Sequence, residues 1–328
     1  MSELYTDFDG NFTINNVLEG EDTFALLPTG GGKSICFQIP AIVKEGICIV
    51  ISPLIALMKD QVQSLIQQHI KAMALTSEYS YSDICRMLDN CIHGNYKFLY
   101  LSPERLLQEV VQERIRQMNV NLIAVDEAHC ISQWGNDFRP AYKNIKVLRE
   151  LQPSVNILAL TASATKPVVK DIISELDFIN SKIFKQSFKR DNLAYMVFDV
   201  EDKYYKIEKI LIKNKASSII YVRNRKSTVE ICNHLINQGF TCTIYHGGLS
   251  HKERNDSLEQ WKNNQKQIMV ATNAFGMGID KPDVKTVIHV NLPDSIESYF
   301  QEAGRAGRNG KKAFAVILKN KGDETIVK

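Results

Sequence analysis

The stretch Phe24-Ala-Leu-Leu-Pro-Thr-Gly-Gly-Gly-Lys-Ser34 decides the fold class, because it joins an apolar strand to a helix through a run of glycines. Glycine lets backbone amides encircle phosphate oxygens, and the positive end of the following helix adds to this attraction. The pattern predicts a P-loop whose lysine reaches the β- and γ-phosphates and whose serine ligates Mg²⁺. The predicted nucleotide contacts are Thr29, Gly30, Gly31, Gly32, Lys33 and Ser34. The alternative is a glycine-rich turn with a surface lysine.

Short apolar runs recur along both halves of the chain and alternate with helical patterns. The predicted strands are Phe24–Leu27, Ile47–Ile51, Phe98–Leu101, Leu122–Val125, Ile157–Leu160, Ser218–Val222, Thr241–Tyr245, Ile268–Ala271, Thr286–Val290 and Phe314–Leu318. They lack strict apolar–polar alternation, which is typical of strands buried on both faces. The alternation of strand and helix predicts an α/β fold with two tandem lobes, each a mostly parallel sheet flanked by helices.

The alternation pauses at residues 177–192, where neither a clean strand nor a clean helix is visible. We place the boundary there and assign residues 1–185 to a first lobe and 186–328 to a second. A length of 328 residues agrees with two domains, at about 150 residues per domain. The first lobe holds 17 basic and 21 acidic residues, whereas the second holds 23 and 16. A basic half favours a polyanionic partner, and an unevenly charged solvated surface is the alternative.

Composition excludes several classes of protein. Apolar residues make up 44% of the chain and charged residues 23%, as in folded globular proteins rather than disordered ones. Apolar runs are far shorter than the roughly 20 residues of a membrane span, and no secretory signal is visible. The seven cysteines are scattered without C-x-x-C spacing, which predicts reduced thiols and no zinc site.

A second motif supplies acids to the predicted nucleotide site. The sequence Asn121-Leu-Ile-Ala-Val-Asp-Glu-Ala-His129 places two adjacent carboxylates after a buried strand, at the strand end where α/β proteins bind ligands. Asp126 would hold Mg²⁺ partly through water, and Glu127 would orient or deprotonate the attacking water. Taken alone, the acid pair could be an exposed helix cap. Hydroxyls in residues 160–165 could relay between the acids and the second lobe, or cap the next helix.

The sequence Gln301-Glu-Ala-Gly-Arg-Ala-Gly-Arg308 has two arginines three residues apart. On one helical face both point the same way, and arginine is suited to clamping a γ-phosphate as its charge develops. The alternative is an ordinary basic helix end.

Together, these motifs resemble those of RecQ DNA helicases, which belong to superfamily 2. The resemblance runs from about residue 17 to residue 313 and rests on residues 29–34, 126–129, 130–140, 271–283 and 301–308. The stretch 130–140, with its core W-G-x-D-F-R-P, is its most family-specific part.

The resemblance implies an ATP-dependent helicase that moves 3′ to 5′ on single-stranded DNA. Mg²⁺-ATP hydrolysis between two RecA-like lobes would drive duplex unwinding. The implied catalytic residues are Lys33, Asp126, Glu127, Gln301, Arg305 and Arg308, with Arg308 favoured as the arginine finger. Gly278 and Asp280 would line the nucleotide cleft, and Ser34 and Asp126 would hold the metal.

The same resemblance implies a DNA-binding surface. Trp134, Phe138 and Arg139 put two aromatic faces and a cation into one stretch. Base stacking on such side chains is worth roughly 1–3 kcal/mol per base; packing in a core is the alternative. The other implied contacts are Ser52, Pro53, Ser102, Arg105, Asn224, His246 and Thr272. Each of them alone would be an ordinary strand-to-helix cap.

The sequence departs from the family pattern in four places. The F-R-x-x-Q element whose glutamine reads adenine has no counterpart in residues 8–16, and Asn136 replaces the usual histidine. Ser163 replaces a usual threonine and keeps its hydroxyl. The chain ends 20 residues after Arg308, before the zinc and winged-helix modules common in the family, so it is either a short member or a fragment.

We therefore expect a monomer that uses ATP and Mg²⁺ and binds single-stranded and partly duplex DNA, in the cytoplasm and nucleoid or in a eukaryotic nucleus. Two alternatives remain open. One is a DNA-binding ATPase with weak coupling, weak unwinding or a strand-annealing role. The other is an RNA helicase of the D-E-A-H type, which the stretch 130–140 argues against.

Overall fold

The computed structural model describes residues 10–28, 30–76, 78–133, 138–187, 189–276 and 281–324. The chain forms two compact units, residues 1–188 and 189–328. This division falls three residues after the boundary placed from the sequence.

The first unit is built on a seven-stranded parallel sheet with the strand order β3-β4-β2-β5-β6-β1-β7. Its strands are β1 (Thr23–Leu26), β2 (Ile47–Ile51), β3 (Ala72–Leu75), β4 (Phe98–Leu101), β5 (Val120–Val125), β6 (Ile157–Thr161) and β7 (Lys182–Lys185). Its α-helices are α1 (Gly10–Leu18), α2 (Lys33–Val43), α3 (Ile55–Gln67), α4 (Tyr81–His93), α5 (Glu109–Gln117), α6 (Val147–Leu151) and α7 (Lys166–Glu175). Three 3₁₀ helices span Pro103–Leu107, Ala128–Ile131 and Pro140–Lys146.

The second unit is built on a six-stranded parallel sheet with the order β10-β11-β9-β12-β13-β8. Its strands are β8 (Leu193–Asp199), β9 (Ser218–Tyr221), β10 (Cys242–Tyr245), β11 (Ile268–Ala271), β12 (Thr286–His289) and β13 (Ala313–Lys319). Its helices are α8 (Lys203–Lys213), α9 (Arg225–Asn237), α10 (His251–Lys262), α11 (Ile296–Ala303) and α12 (Lys321–Glu324).

Each sheet carries one apolar core on each of its faces. In the first unit, Ile49 and Ile51 of β2 join one core while Cys48 and Val50 join the other. The second unit has the same arrangement, with separate cores on its two faces. Burial on both faces explains why the central strands read as unbroken apolar runs. The predicted fold class, two parallel α/β lobes flanked by helices, is confirmed.

Three strands were missed from the sequence, and all three lie at sheet edges. β7 lies within residues 177–192, where no strand was predicted, and its pattern Lys-Ile-Phe-Lys buries one residue fully. β8 is largely exposed, and β3 has only four residues. An edge strand has one neighbour and partial solvent cover, so it needs fewer apolar residues than a central strand.

No helix in the described ranges is long and apolar enough to cross a membrane.

Candidate active site

The glycine run between β1 and α2 adopts the backbone that only glycine tolerates well. Gly30 and Gly32 have φ angles of 81° and 76°, in the left-handed region that disfavours other residues. The amide of Gly31 donates to Pro28 O at 2.9 Å, and a Cβ added at Gly31 would lie 2.9 Å from that oxygen. The three glycines thus give a tight loop that delivers Lys33 as the first residue of α2. Thr29 lies outside the described residues.

The acid pair stands beside this loop. Lys33 Nζ lies 3.4 Å from Glu127 Oε1, although 94 residues separate them along the chain. Their side chains are only 16% and 10% exposed. β5 ends at Val125 and β1 at Leu26, so the shared carboxyl edge of the parallel sheet brings the two motifs together.

Asp126 and Glu127 have different environments despite their adjacency. Burial, and then the neighbouring charge of Glu127, raise the pKa of Asp126 to about 6, against the opposing effect of Lys33. Glu127 has a φ of 48°, an uncommon value for a residue with a Cβ. Its amide donates to Asp126 Oδ1 at 2.9 Å, which locks the turn between the two carboxylates.

Buried polar side chains form hydrogen bonds with the acid motif. His129 Nδ1 lies 2.8 Å from Thr161 Oγ1 and 3.4 Å from Glu127 Oε2. The hydroxyl of Tyr142 donates to Asp126 O at 3.0 Å. Thr161 is the last residue of β6, so the hydroxyl stretch 160–165 contacts the acid motif through His129.

Ser34 is held by a chain of contacts that the sequence did not indicate. Gln61 Nε2 on α3 donates to Ser34 Oγ at 3.1 Å, and the Tyr100 hydroxyl on β4 donates to Gln61 Oε1 at 2.9 Å. Ser34 Oγ therefore keeps a lone pair for another partner. A serine hydroxyl and a buried carboxylate, Asp126, form an oxygen-only donor set of the kind that Mg²⁺ prefers. The residues present thus fit a magnesium ion.

Gln186 is a further residue near the P-loop that sequence reasoning missed. It follows the edge strand β7, and its Oε1 is buried without a hydrogen-bond partner in the described part of the chain. That atom lies 3.1 Å from the position a Cβ would take at Gly31. No local pattern marks Gln186, because its approach to the loop depends on the pairing of β7 with β1.

In the second unit, the turn that carries the two arginines is fixed through its backbone. We call residues 304–308 the arginine turn. Arg190 donates to three of its carbonyls, those of Gly304 at 3.3 Å, Ala306 at 3.1 Å and Gly307 at 2.6 Å. The amide of Gly307 donates to Val284 O at 2.8 Å. Arg190, also missed from the sequence, thus positions the turn without belonging to its motif.

The helix before the arginine turn is anchored by a buried ring stack. His289 Nε2 lies 2.8 Å from Glu302 Oε2, next to Gln301 on α11. The ring of His289 stacks on Tyr221, with centroids 5.3 Å apart and an interplanar angle of 18°. Burial raises the pKa of Tyr221, and the nearby Arg305 opposes that rise. Arg305 is 5% exposed, so this buried arginine lies close to the Tyr221 hydroxyl.

Several residues implied to bind DNA meet at the carboxyl edge of the first sheet. Ser52 follows β2 and Ser102 follows β4, which are neighbouring strands. Arg139 Nη1 donates to Pro53 O at 3.0 Å, and Arg105 donates to Thr76 O after β3. Ser52 is 2% exposed, and its hydroxyl has no hydrogen-bond partner in the described ranges. Phe138 is half-buried beside this group.

The implied DNA contacts of the second unit also share one edge. Asn224, His246 and Thr272 follow β9, β10 and β11, which are neighbours in the sheet. All three make local contacts with backbone amides: Asn224 Oδ1 accepts from Ser227 at 2.8 Å, His246 Nδ1 from Gly248 at 3.1 Å and Thr272 Oγ1 from Ala274 at 3.4 Å. Only the Asn224 contact is the helix cap of the alternative interpretation, at the start of α9, whereas the contacts of His246 and Thr272 lie in the turns that follow their strands. Trp134, Asn136, Gly278, Asp280 and the segment around Phe8 lie outside the described residues.

Comparison with known proteins agrees with this arrangement. Residues 11–172 match the DEAD/DEAH box helicase family, and residues 202–310 match the helicase conserved C-terminal domain. The fold resembles that of the DEAD-box helicase Mss116 bound to ssRNA, with a TM-score of 0.79 at 19% identity, covering 95% of this chain and 69% of that one. The chain therefore has the two-domain core of a DEAD/DEAH-box helicase.

More narrowly, the chain belongs to the RecQ family, as its motifs predicted. It is 44% identical over 91% of its length to the ATP-dependent DNA helicase RecQ of Bacillus subtilis. It is 42% identical over 94% of its length to a protein of Acanthamoeba polyphaga mimivirus that is named as an ATP-dependent RNA helicase. The chain spans about half of each relative, 51% and 56% respectively.

Proposed function

We propose that this chain is an ATP-dependent DNA helicase core whose P-loop and acidic catalytic residues are assembled on the first unit. The approach of Lys33 Nζ to Glu127 Oε1 carries the proposal. It brings the phosphate-binding lysine beside the carboxylate expected to act on water. The P-loop and the acid pair thus meet at one sheet edge, although Lys33 and Glu127 are 94 residues apart in the chain.

The residues of the first unit have different roles in nucleotide binding and hydrolysis. Lys33 and the amides of residues 30–34 bind the β- and γ-phosphates. Ser34 and Asp126 would hold Mg²⁺, which would supply positive charge to offset the negative charge of the phosphates. Glu127 orients the attacking water and accepts its proton. His129, which contacts both Glu127 and Thr161, holds that carboxylate in place.

The arginine turn supplies the remaining positive charge. Arg305, Arg308 and Gln301 would act on the γ-phosphate, where charge develops during phosphoryl transfer. The support is that Arg190 fixes carbonyls within the turn, and that the His289–Glu302 pair anchors the helix before it. Preorganised cations contribute more to catalysis than mobile ones, because they need no reorganisation during the reaction.

Single-stranded DNA would contact the carboxyl edge of the first sheet. The first sheet contributes Ser52, Arg105, Phe138 and Arg139, together with Trp134. The Ser52 hydroxyl has no hydrogen-bond partner among the described residues, and two arginines lie at the same edge. These groups suit phosphate contacts, which position a strand without reading its sequence. Movement from 3′ to 5′, duplex unwinding and the use of partly duplex DNA are part of this proposal on the strength of family membership.

RNA is the second candidate substrate, because the mimivirus relative is named as an RNA helicase. Steady-state ATP hydrolysis, titrated with single-stranded DNA and in parallel with RNA of the same sequence, separates the two. The proposal predicts strong stimulation by DNA. Stronger stimulation by RNA would transfer the assignment to the second candidate. DNA binding without stimulation would indicate an uncoupled DNA-binding ATPase and would contradict the motor.

A further inference from the structure

The second sheet has a basic cavity at the edge opposite its family motifs. Asn224, His246 and Thr272 follow their strands, whereas Ser217, Lys285 and Lys312 directly precede β9, β12 and β13. In a parallel sheet these two groups lie at opposite edges. The residues around Ser217, Lys285 and Lys312 line a cavity of about 550 Å³, which we call the amino-edge cavity.

The backbone fixes the floor of the amino-edge cavity. β9, β12 and β13 are consecutive neighbours in the sheet. The amide of Lys285 donates to Ser217 O at 2.9 Å, and the amide of Phe314 donates to Lys285 O at 2.9 Å. Lys285 is therefore held between the starts of the two flanking strands, about 5 Å from each.

Positive charge dominates the lining. Lys215, Lys285, Lys311 and Lys312 all line the cavity, and none forms an ion pair within the described ranges. Asp283 is the one acid of the lining, and its carboxylate is 2.9 Å from Lys281 Nζ. The acid is thus neutralised by a lysine outside the group of four.

A buried hydroxyl provides an independent sign of a ligand. Ser217 is 5% exposed and lines the cavity, and its Oγ has no hydrogen-bond partner among the described residues. Buried polar atoms in folded proteins are nearly always paired. A hydroxyl can donate to an oxyanion, which is the group that the surrounding lysines would attract.

We propose that the amino-edge cavity binds a phosphate group, with Lys285 and Lys311 as its cations and Ser217 as a hydrogen-bond donor. The phosphate belongs either to a free polyphosphate or to a nucleic-acid backbone, since both present the same oxyanion. The cavity also contacts the arginine turn, because Gly307 lines it. This site is separate from the P-loop, which lies in the other unit.

The first arm of the test measures binding of a free polyphosphate. Inorganic pyrophosphate is titrated calorimetrically into the whole chain carrying Lys33→Ala, which weakens binding at the P-loop. Adding Lys285→Gln and Lys311→Gln should weaken the remaining binding by about tenfold or more, since each removes a charged hydrogen bond. The matched control replaces Lys209 and Lys213, two exposed lysines on α8 outside the cavity, by glutamine and should change nothing.

The second arm tests whether a nucleic-acid backbone supplies the phosphate. It measures the affinity of the chain for a single-stranded oligonucleotide of 12 nucleotides at several salt concentrations. If DNA supplies the phosphate, the cavity variant should reduce the salt dependence of binding, by about 0.7 per lost phosphate contact. Ser217→Ala should weaken whichever ligand binds while leaving thermal stability unchanged or raised, because its hydroxyl has no partner to lose in the described part of the chain. Equal behaviour of the cavity and control variants in both arms would overturn the proposal.

Discussion

The carboxyl edges of the two sheets use their polar side chains differently. In the first unit, side chains distant in sequence contact one another, as Lys33 and Glu127 do across 94 residues and Gln61 and Ser34 across 27. In the second unit, Asn224 and His246 contact amides only two or three residues away. The motif residues of the first edge therefore contact residues distant in the chain, whereas the contacts of Asn224 and His246 at the second edge are local.

The largest effect on ATP hydrolysis should come from replacing Lys33 at the carboxyl edge of the first sheet. Lys33→Ala removes the cation that faces Glu127 and the expected phosphate ligand, so ATP hydrolysis should fall by about 10²-fold or more. Lys59→Ala is the matched control, because Lys59 Nζ also pairs with a glutamate, Glu78 at 2.8 Å, but at an exposed position. Steady-state hydrolysis of both variants checks the prediction. Similar rates for the two would remove Lys33 from the site.

The second effect tests whether the arginine turn is fixed from outside its motif. Arg190→Ala removes hydrogen bonds to the carbonyls of Gly304, Ala306 and Gly307. We expect the free energy of unfolding to fall by about 2 kcal/mol and kcat to fall while ATP affinity is kept. Lys189→Ala, at an exposed neighbouring position, should do neither. Urea unfolding and hydrolysis kinetics measure the two quantities, and an unchanged kcat in Arg190→Ala would show that the turn needs no such support.

A smaller effect, on the Mg²⁺ requirement, should follow from removing the hydrogen bond that holds Ser34. Gln61→Ala removes the amide that donates to Ser34 Oγ, and loss of such outer contacts typically costs about 10-fold or more in metal affinity. The Mg²⁺ concentration for half-maximal hydrolysis should rise accordingly. Gln63→Ala changes an exposed residue of the same helix and should leave it unaltered. Equal Mg²⁺ requirements would make the Gln61 contact purely structural.

The smallest effect separates capping from DNA binding at the second edge. Asn224→Ala removes the cap of α9 and should cost about 1 kcal/mol of stability. Asn224→Asp keeps a capping oxygen but adds a negative charge, so stability should hold while affinity for single-stranded DNA falls. Thermal unfolding and fluorescence anisotropy measure the pair. Unchanged DNA affinity in Asn224→Asp would leave Asn224 as a cap only.

Features of the fold that depend on a local pattern could be predicted from the sequence. Gly30 and Gly32 adopt a positive φ, and the apolar strand before Asp126 delivers that residue to a sheet edge. Both features are readable within about ten residues. The central strands were predicted for the same reason, since burial on both faces leaves unbroken apolar runs.

The residues that were missed depend on the tertiary fold. Gln61 and Arg190 are ordinary polar residues in sequence, and they become important only when α3 packs beside the P-loop and when Arg190 reaches a turn 114 residues or more away. The strand β7 was missed because an edge strand needs few apolar residues. No pattern of spacing along the chain marks such positions.

The central claim is that Glu127 acts on water at a site already holding the nucleotide. The most direct test compares Glu127→Gln with the unchanged protein, measuring ATP hydrolysis at saturating single-stranded DNA and nucleotide binding with a fluorescent ATP analogue. The amide keeps the shape of the side chain but cannot accept the proton. The account predicts that hydrolysis is lost, by about 10²-fold or more, while binding is kept. Hydrolysis near the unchanged rate would contradict it.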